Sequence, residues 1–122
     1  MRILVADDDR IVVHLLAGLL RAKGYQVTPV FDAMQAFMYA MRRPPPDAIV
    51  LDINMPGGTG VEAIKRLKTS LNTAGIPVIV LSGTTDPKMP ETVKTLGADA
   101  FLPKPVNADA LFAALQKVLP AP

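Results

Sequence analysis

The chain has 122 residues, half of them apolar, no cysteine and a formal net charge of +2. That length suits one domain, 1–122, around a single core, and the missing thiols exclude disulfides and thiolate metal sites. The basic residues are scattered rather than gathered with aromatic partners, which argues against nucleic-acid binding by this chain, and no apolar run approaches the roughly 20 residues that cross a bilayer.

Met1-Arg2 leads straight into the run Ile3-Leu4-Val5-Ala6, without the apolar stretch and cleavage site of a signal peptide. A cytoplasmic location is the default expectation, with no membrane partner. The first strand is expected at about 2–7. Residues 10–23 read as a helix, with Val12, Leu15, Leu16, Leu19 and Leu20 at helical spacing and Gly24 as its C′ glycine. Gln26 to Val30 reads as a strand that Pro29 confines to a sheet edge, because proline removes a ladder donor. Asp32 is placed to cap a helix over about 33–42, which Pro44-Pro45-Pro46 stops.

The third strand is expected at about 47–52, followed by a loop to Gly60. The helix at about 61–71 has Val61, Ile64, Leu67 and Leu71 on one face. A fourth strand at about 77–82 and a loop containing Pro87 lead to a short helix at about 90–96, with Pro90 in its first turn and Gly97 past its end. A fifth strand at about 99–102 and a last helix at about 108–119 complete the pattern. Pro120-Ala121-Pro122 fits either a terminus or the start of a linker.

Five strand–helix units with short connections predict an α/β domain with a parallel sheet. Strands one, three and four are apolar without alternation, as expected when helices cover both faces. An edge position for strand two and right-handed crossovers favour a flavodoxin-like doubly wound order, 2-1-3-4-5. Ligands in such sheets bind outside the carboxyl ends, where the order reverses between strands one and three.

Those carboxyl ends carry the chemistry. Strand one stops at Asp7-Asp8-Asp9, strand three at Asp52, strand four at Ser82, and the fifth run, Ala100-Phe101-Leu102-Pro103, at Lys104. Carboxylates about 4–5 Å apart repel by roughly 3–4 kcal/mol at an effective dielectric near 20, so something cationic must join them. Mg²⁺, held by one or two carboxylates with waters and phosphate oxygens, is one solution; Lys104 is another cation at the site. A carboxylate is also a nucleophile towards phosphorus, and phosphoryl transfer mainly needs positioning and neutralised charge. Asp52, alone at the end of the central strand, is the candidate nucleophile, with Asp7 and Asp8 holding the metal. Asp9 reads as a cap for the first helix, His14 as a plain surface residue, and Arg42-Arg43 and Lys65-Arg66 as solvated helix ends or faces. Gly57-Gly58-Thr59-Gly60 lacks the G-x-x-x-x-G-K-[ST] pattern and reads as a flexible turn.

From Ile3 to Leu119 the chain resembles the response-regulator receiver domains of bacterial two-component signalling. The segments that carry the resemblance are Ile3 to Asp9, Leu51-Asp52-Ile53-Asn54-Met55-Pro56 with Gly60, Val80-Leu81-Ser82-Gly83, and Gly97 to Pro105. The resemblance implies that Asp52 accepts a phosphoryl group from a histidine kinase or histidine phosphotransfer protein. It implies Mg²⁺ held by Asp7, Asp8, Asp52 and the main-chain carbonyl of Asn54. It makes Ser82 and Lys104 the phosphoryl-binding residues, Phe101 the aromatic switch and Lys104-Pro105 a cis peptide. Activation would then change the face built from the fourth helix, fifth strand and fifth helix for a downstream effector. The chain departs from the commonest pattern in having Phe at 101 and Gly at 83, while Asn54 and Thr84 occupy positions at which the family tunes phosphoryl lifetime.

The fourth helix is the shortest, at about seven residues, too few for intrinsic stability; residues 84–96 are expected to be mobile before phosphorylation. Two other functions compete. An aspartate-based phosphatase would also use an Asp nucleophile and Mg²⁺, but in the D-x-D pattern the second acid protonates the leaving group, and Asn54 cannot do so. A constitutive scaffold would not need Asp7, Asp8, Asp52 and Lys104 together.

Overall fold

The structure, a computed structural model, describes residues 1–54 and 60–119. Residues 55–59, with all but Gly60 of the turn expected at 57–60, and residues 120–122 lie outside the described residues. Among the described residues five strands and five helices alternate: β1 (Arg2–Ala6), α1 (Arg10–Ala22), β2 (Gln26–Val30), α2 (Ala33–Ala40), β3 (Ala48–Asp52), α3 (Gly60–Thr69), β4 (Val78–Ser82), α4 (Met89–Thr95), β5 (Ala100–Pro103) and α5 (Ala108–Val118).

All neighbouring strands pair in parallel, in the order β2-β1-β3-β4-β5. This is the doubly wound, flavodoxin-like α/β fold that the alternating pattern predicts. Pro29 pairs opposite Val5 on the outermost strand, where its missing donor costs least. Every residue of β3 and β4 is buried, and β1 is buried from Ile3 onward. Two apolar layers hold the sheet. Leu4, Ile49, Leu51 and Val80 face α2, α3 and α4, whereas Ile3, Val5, Ile79 and Leu81 face α1 and α5. Each large side chain buried this way contributes about 1.5–3 kcal/mol. The two layers clamp β1, β3 and β4 from both sides, which makes their carboxyl ends a rigid platform.

Helix ends follow local chemistry. Asp9 and Asp32 accept from the first-turn amides of α1 and α2. Gly97 has φ +107° just past α4, the left-handed conformation that favours glycine there. Gly60 is required for a different reason. Its amide donates to the Ile53 carbonyl at 2.8 Å, and a Cβ on it would overlap the Ile53 backbone. The first turn of α3 can approach the end of β3 this closely only without a side chain.

Helical spacing and burial part company at two places. Leu15 and Leu19 do not belong to the buried face of α1: they are 64% and 39% exposed, and Val13, Leu16, Ala17 and Leu20 point inward instead. The apolar positions of α1 cover more of its circumference than one sheet face can bury, so spacing alone does not say which stripe packs. Leu71 is fully exposed because α3 stops at Thr69 and the chain turns before reaching it.

Candidate functional site

The carboxyl ends of β1, β3, β4 and β5 share one edge of the sheet. Asp7 follows β1 and Asp52 ends β3; both are buried, at 1% and 3% exposure, while Asp8 is exposed. Carboxylate oxygens of Asp7, Asp8 and Asp52 all lie within 4.8 Å of one another. Main-chain amides aim the two buried acids: Asp9 N–H donates to Asp7 Oδ1 at 3.0 Å, and Asn54 N–H to Asp52 Oδ1 at 3.2 Å. Asp9 thus caps α1 with its side chain and holds Asp7 with its backbone.

Lys104 bridges the pair. Its Nζ lies 2.8 Å from Asp7 Oδ2 and 3.3 Å from Asp52 Oδ2. The Lys104 amide donates to the Ser82 carbonyl at 2.8 Å, which fixes the lysine backbone against the end of β4. The next peptide bond, Lys104–Pro105, is cis. A second cis bond, Arg43–Pro44, lies in the triple-proline turn, where proline composition alone does not distinguish the isomers.

The electrostatics follow from this packing. Burial pushes the Asp52 carboxyl above its ordinary value; the Asn54 amide opposes that, the Asp7 charge adds to it and Lys104 opposes it. For Lys104, burial lowers the pKa, but the hydrogen bond to Asp7 and the charges of Asp52 and Asp7 outweigh it, and the net direction is upward.

Ser82 is buried, and its Oγ accepts the Thr84 amide at 3.0 Å. Phe101 stands apart from the acids. It is half-buried on the α4 side of the sheet, beside a cleft of about 260 Å³ lined by Pro90, Val93 and Ala98. His14 is exposed on α1. Sequence reading missed the Arg10 guanidinium stacked over the Phe31 ring at 4.2 Å, next to the acid cluster in the chain. It named Ser82 and Thr84 but missed that Ser82, Thr84 and Asp86 each accept the amide two residues on, a pattern present as Ser-x-Thr-x-Asp.

The donor set fits a hard divalent cation. Oxygens bound to one Mg²⁺ at about 2.1 Å can lie up to roughly 4.2 Å apart, so a small inward movement of these carboxylates completes the span.

The family model for "Response regulator receiver domain" matches residues 3–116. The chain is 39% identical over 127 residues to "Transcriptional regulatory protein TctD" of Salmonella typhimurium, covering 98% of this chain and 52% of that protein. It is 39% identical over 122 residues to "Response regulator MprA" of Mycobacterium avium, covering 98% and 51%. The chain therefore spans about half the length of these relatives. Among solved structures, the chemotaxis response regulator CheY4 of Vibrio cholerae superimposes with a TM-score of 0.87 at 30% identity, covering 97% of this chain and 98% of that one. Sequence and architecture agree, and the chain belongs to the response regulator receiver domains of two-component systems.

Proposed function

We propose that this domain is a phosphorylation-driven switch in which Asp52 accepts a phosphoryl group from a phosphohistidine on a histidine kinase or histidine phosphotransfer protein. The observation that carries the reading is the Lys104 ammonium shared between the buried Asp52 and Asp7 carboxylates. An Asp52 oxygen attacks phosphorus as the bond from phosphorus to the donor imidazole breaks. Asp7, Asp8, Asp52 and the Asn54 carbonyl would hold Mg²⁺, which when bound supplies charge neutralisation for the phosphoryl oxygens. Lys104 contributes a second positive charge as a point donor. Ser82 sits at the neighbouring strand end, where a hydroxyl can donate to a phosphoryl oxygen. The buried strands on either side hold these groups without reorganisation.

A donor protein must reach Asp52 from the carboxyl edge. Beside that edge runs an open apolar groove of about 820 Å³, lined by Leu15, Leu19, Pro105 and Val106, with Lys104 at its margin. The exposed leucines of α1 suit an apolar surface on the donor. On the other side of the molecule, Phe101 and its cleft against α4 belong to the α4–β5–α5 face, the proposed output surface for a downstream effector. Phosphorylation would shift the population between two arrangements of that face.

The test is covalent labelling by acetyl phosphate with and without Mg²⁺, run beside phosphate release from a panel of phosphomonoesters. The switch reading expects Mg²⁺-dependent labelling and no sustained release from the panel. Multiple turnover on a phosphomonoester would replace it with a phosphatase, and absence of labelling would leave a scaffold.

A further inference from the structure

The amino ends of the strands and the carboxyl ends of the helices share the edge of the molecule opposite the acid cluster. Each helix terminus there carries a partial negative charge that a cation near the last turn offsets. Arg21, Lys68, Lys94 and Lys117 stand in the last turns of α1, α3, α4 and α5 and fill that role. α2 has no basic residue in its last turn, but Arg42 and Arg43 follow shortly after it. Arg43 donates to Asn72 Oδ1 at 2.9 Å. Two cations exceed what the helix ends call for: Arg42, beside Arg43, and Arg2, which belongs to β1. Both line one cleft of about 120 Å³, together with Thr28, Tyr39, Pro44 and Pro46.

Each of these two guanidinium groups is held by something other than an acid. Arg2 Nη2 donates to the Pro44 carbonyl and, at 3.0 Å, to the Pro45 carbonyl. Arg42 stacks on the Tyr39 ring at 4.1 Å. Neither forms an ion pair among the described residues. The carboxylates that precede β3 and β5 at this edge are turned onto main-chain amides. Asp47 accepts the Arg2 amide at 2.7 Å and Asp99 accepts the Val78 amide at 2.8 Å, and neither lines the cleft. Two cations facing an opening with no carboxylate in its walls, beside proline and aromatic surfaces, concentrate positive potential there.

We propose that this cleft is an anion site that takes a phosphate group: orthophosphate, or the terminal group of a small phosphomonoester. Nη2 of Arg2 serves the two carbonyls, which leaves its Nε and Nη1 to donate. The stacked Arg42 keeps all its N–H groups for a ligand. Guanidinium N–H pairs match phosphate oxygens two at a time, and Thr28 adds a hydroxyl to the lining. Size narrows the ligand. A water's share of liquid volume is about 30 Å³, so the cleft has room for about four waters, well below the roughly 300 Å³ at which sites begin to enclose a whole organic ligand. It holds one tetrahedral group, and any organic part lies outside, against Pro44 and Pro46. β1 separates the two sites, with Arg2 at its start and Asp7 just past its end, so this one works without Mg²⁺.

The test is an amide NMR titration of the protein without divalent ions, at about pH 7.5, where a phosphate monoester is mainly the dianion, with ionic strength held constant by chloride. Orthophosphate should give saturable shifts at the amides of residues 2, 28, 39 and 42, while those of residues 7, 8 and 52 stay in place. Arg42→Gln changes an exposed side chain, so it should keep the wild-type thermal midpoint and bind at least about 10-fold more weakly, as expected for loss of charged hydrogen bonds. Arg43→Gln, which removes the same charge beside the cleft, should bind within about 2-fold of wild type. Glycerol 3-phosphate run in parallel separates the two sources. Tighter binding than orthophosphate assigns a phosphomonoester, weaker binding assigns the free ion, and equal binding means that the phosphate group alone is read. Shifts that never saturate, undiminished binding by Arg42→Gln, or equal weakening by Arg42→Gln and Arg43→Gln would overturn the site.

Discussion

Asp52→Asn should stabilise the metal-free protein, although it removes a residue that makes two polar contacts. The carboxylate oxygens of Asp7, Asp8 and Asp52 lie within 4.8 Å of one another. Two unit charges at that separation repel by about 3 kcal/mol at an effective dielectric of 20. Lys104, at 3.3 Å, returns about 5 kcal/mol on the same scale, but it is a quarter exposed and also serves Asp7. Asp52 is itself 3% exposed, so burying its charge adds an unfavourable contribution of several kcal/mol. The balance leaves the ionised form disfavoured, as the upward shift of its pKa from 3.8 indicates. Asparagine keeps an acceptor for the Asn54 amide and carries no charge, so a gain of about 1–2 kcal/mol at pH 7 is expected. The pH dependence follows by linkage. Between 3.8 and the raised folded value, the native state binds more protons than the unfolded state, so wild-type stability falls as pH rises through that window. The advantage of Asn should therefore be full above the window and shrink towards zero as pH falls to 3.8. Urea unfolding of both proteins from pH 4 to 8, without divalent ions, measures this. A variant less stable than wild type at pH 7, or an advantage that grows towards acid, would refute the reasoning.

Lys104→Met should cost about 3–5 kcal/mol at pH 7, because it strands two buried carboxylates, and urea unfolding should show the loss easing in acid. On the alkaline side, the stability that Lys104 supplies in wild type is retained up to about pH 10.5 and is lost as pH rises through its raised folded value; an alkaline urea series tests that sign. Mg²⁺ should raise the thermal midpoint of wild type and raise that of Asp52→Asn much less, since a cation that binds only the folded state adds RT ln(1 + [Mg²⁺]/Kd). Gly60→Ala should destabilise by about 2–3 kcal/mol in thermal unfolding, because its Cβ meets the Ile53 backbone rather than a side chain that can move aside. Leu15→Lys should change stability by less than about 0.5 kcal/mol yet slow transfer from a phosphohistidine donor protein, leaving acetyl phosphate labelling intact; equal slowing of both reactions would place the groove outside donor docking.

The sheet was legible because its inner strands are buried on both faces and so appear as unbroken apolar runs. The edge strand was legible from Pro29, and the cluster from Asp7, Asp52 and Lys104 each standing at the first polar position after such a run. Helix burial was less legible. α1 carries apolar residues around much of its circumference, and Leu15 and Leu19 fit a helical stripe as well as Val13 and Ala17 do. Only the docked sheet decides between the two stripes. Leu71 extended a convincing period past the point where the backbone stops being helical, because periodicity does not register a helix end that lacks a glycine or proline signal. The hydrogen bonds from Ser82 to Lys88 lie in residues that composition marks only as a loop. Its order depends on side chains bonding to amides two positions away, a local pattern that hydrophobic periodicity does not detect.

Site mapping tells whether Asp52 is the residue that takes the phosphoryl group. After incubation with acetyl phosphate and Mg²⁺, borohydride reduction converts an aspartyl phosphate to homoserine at the position that carried it, and peptide mass spectrometry reads that position. Homoserine is expected at residue 52, with none when Mg²⁺ is chelated and none in Asp52→Asn. Homoserine at Asp7, Asp8 or Asp9 in wild type, or an unmodified residue 52 in Mg²⁺-replete protein, would contradict it.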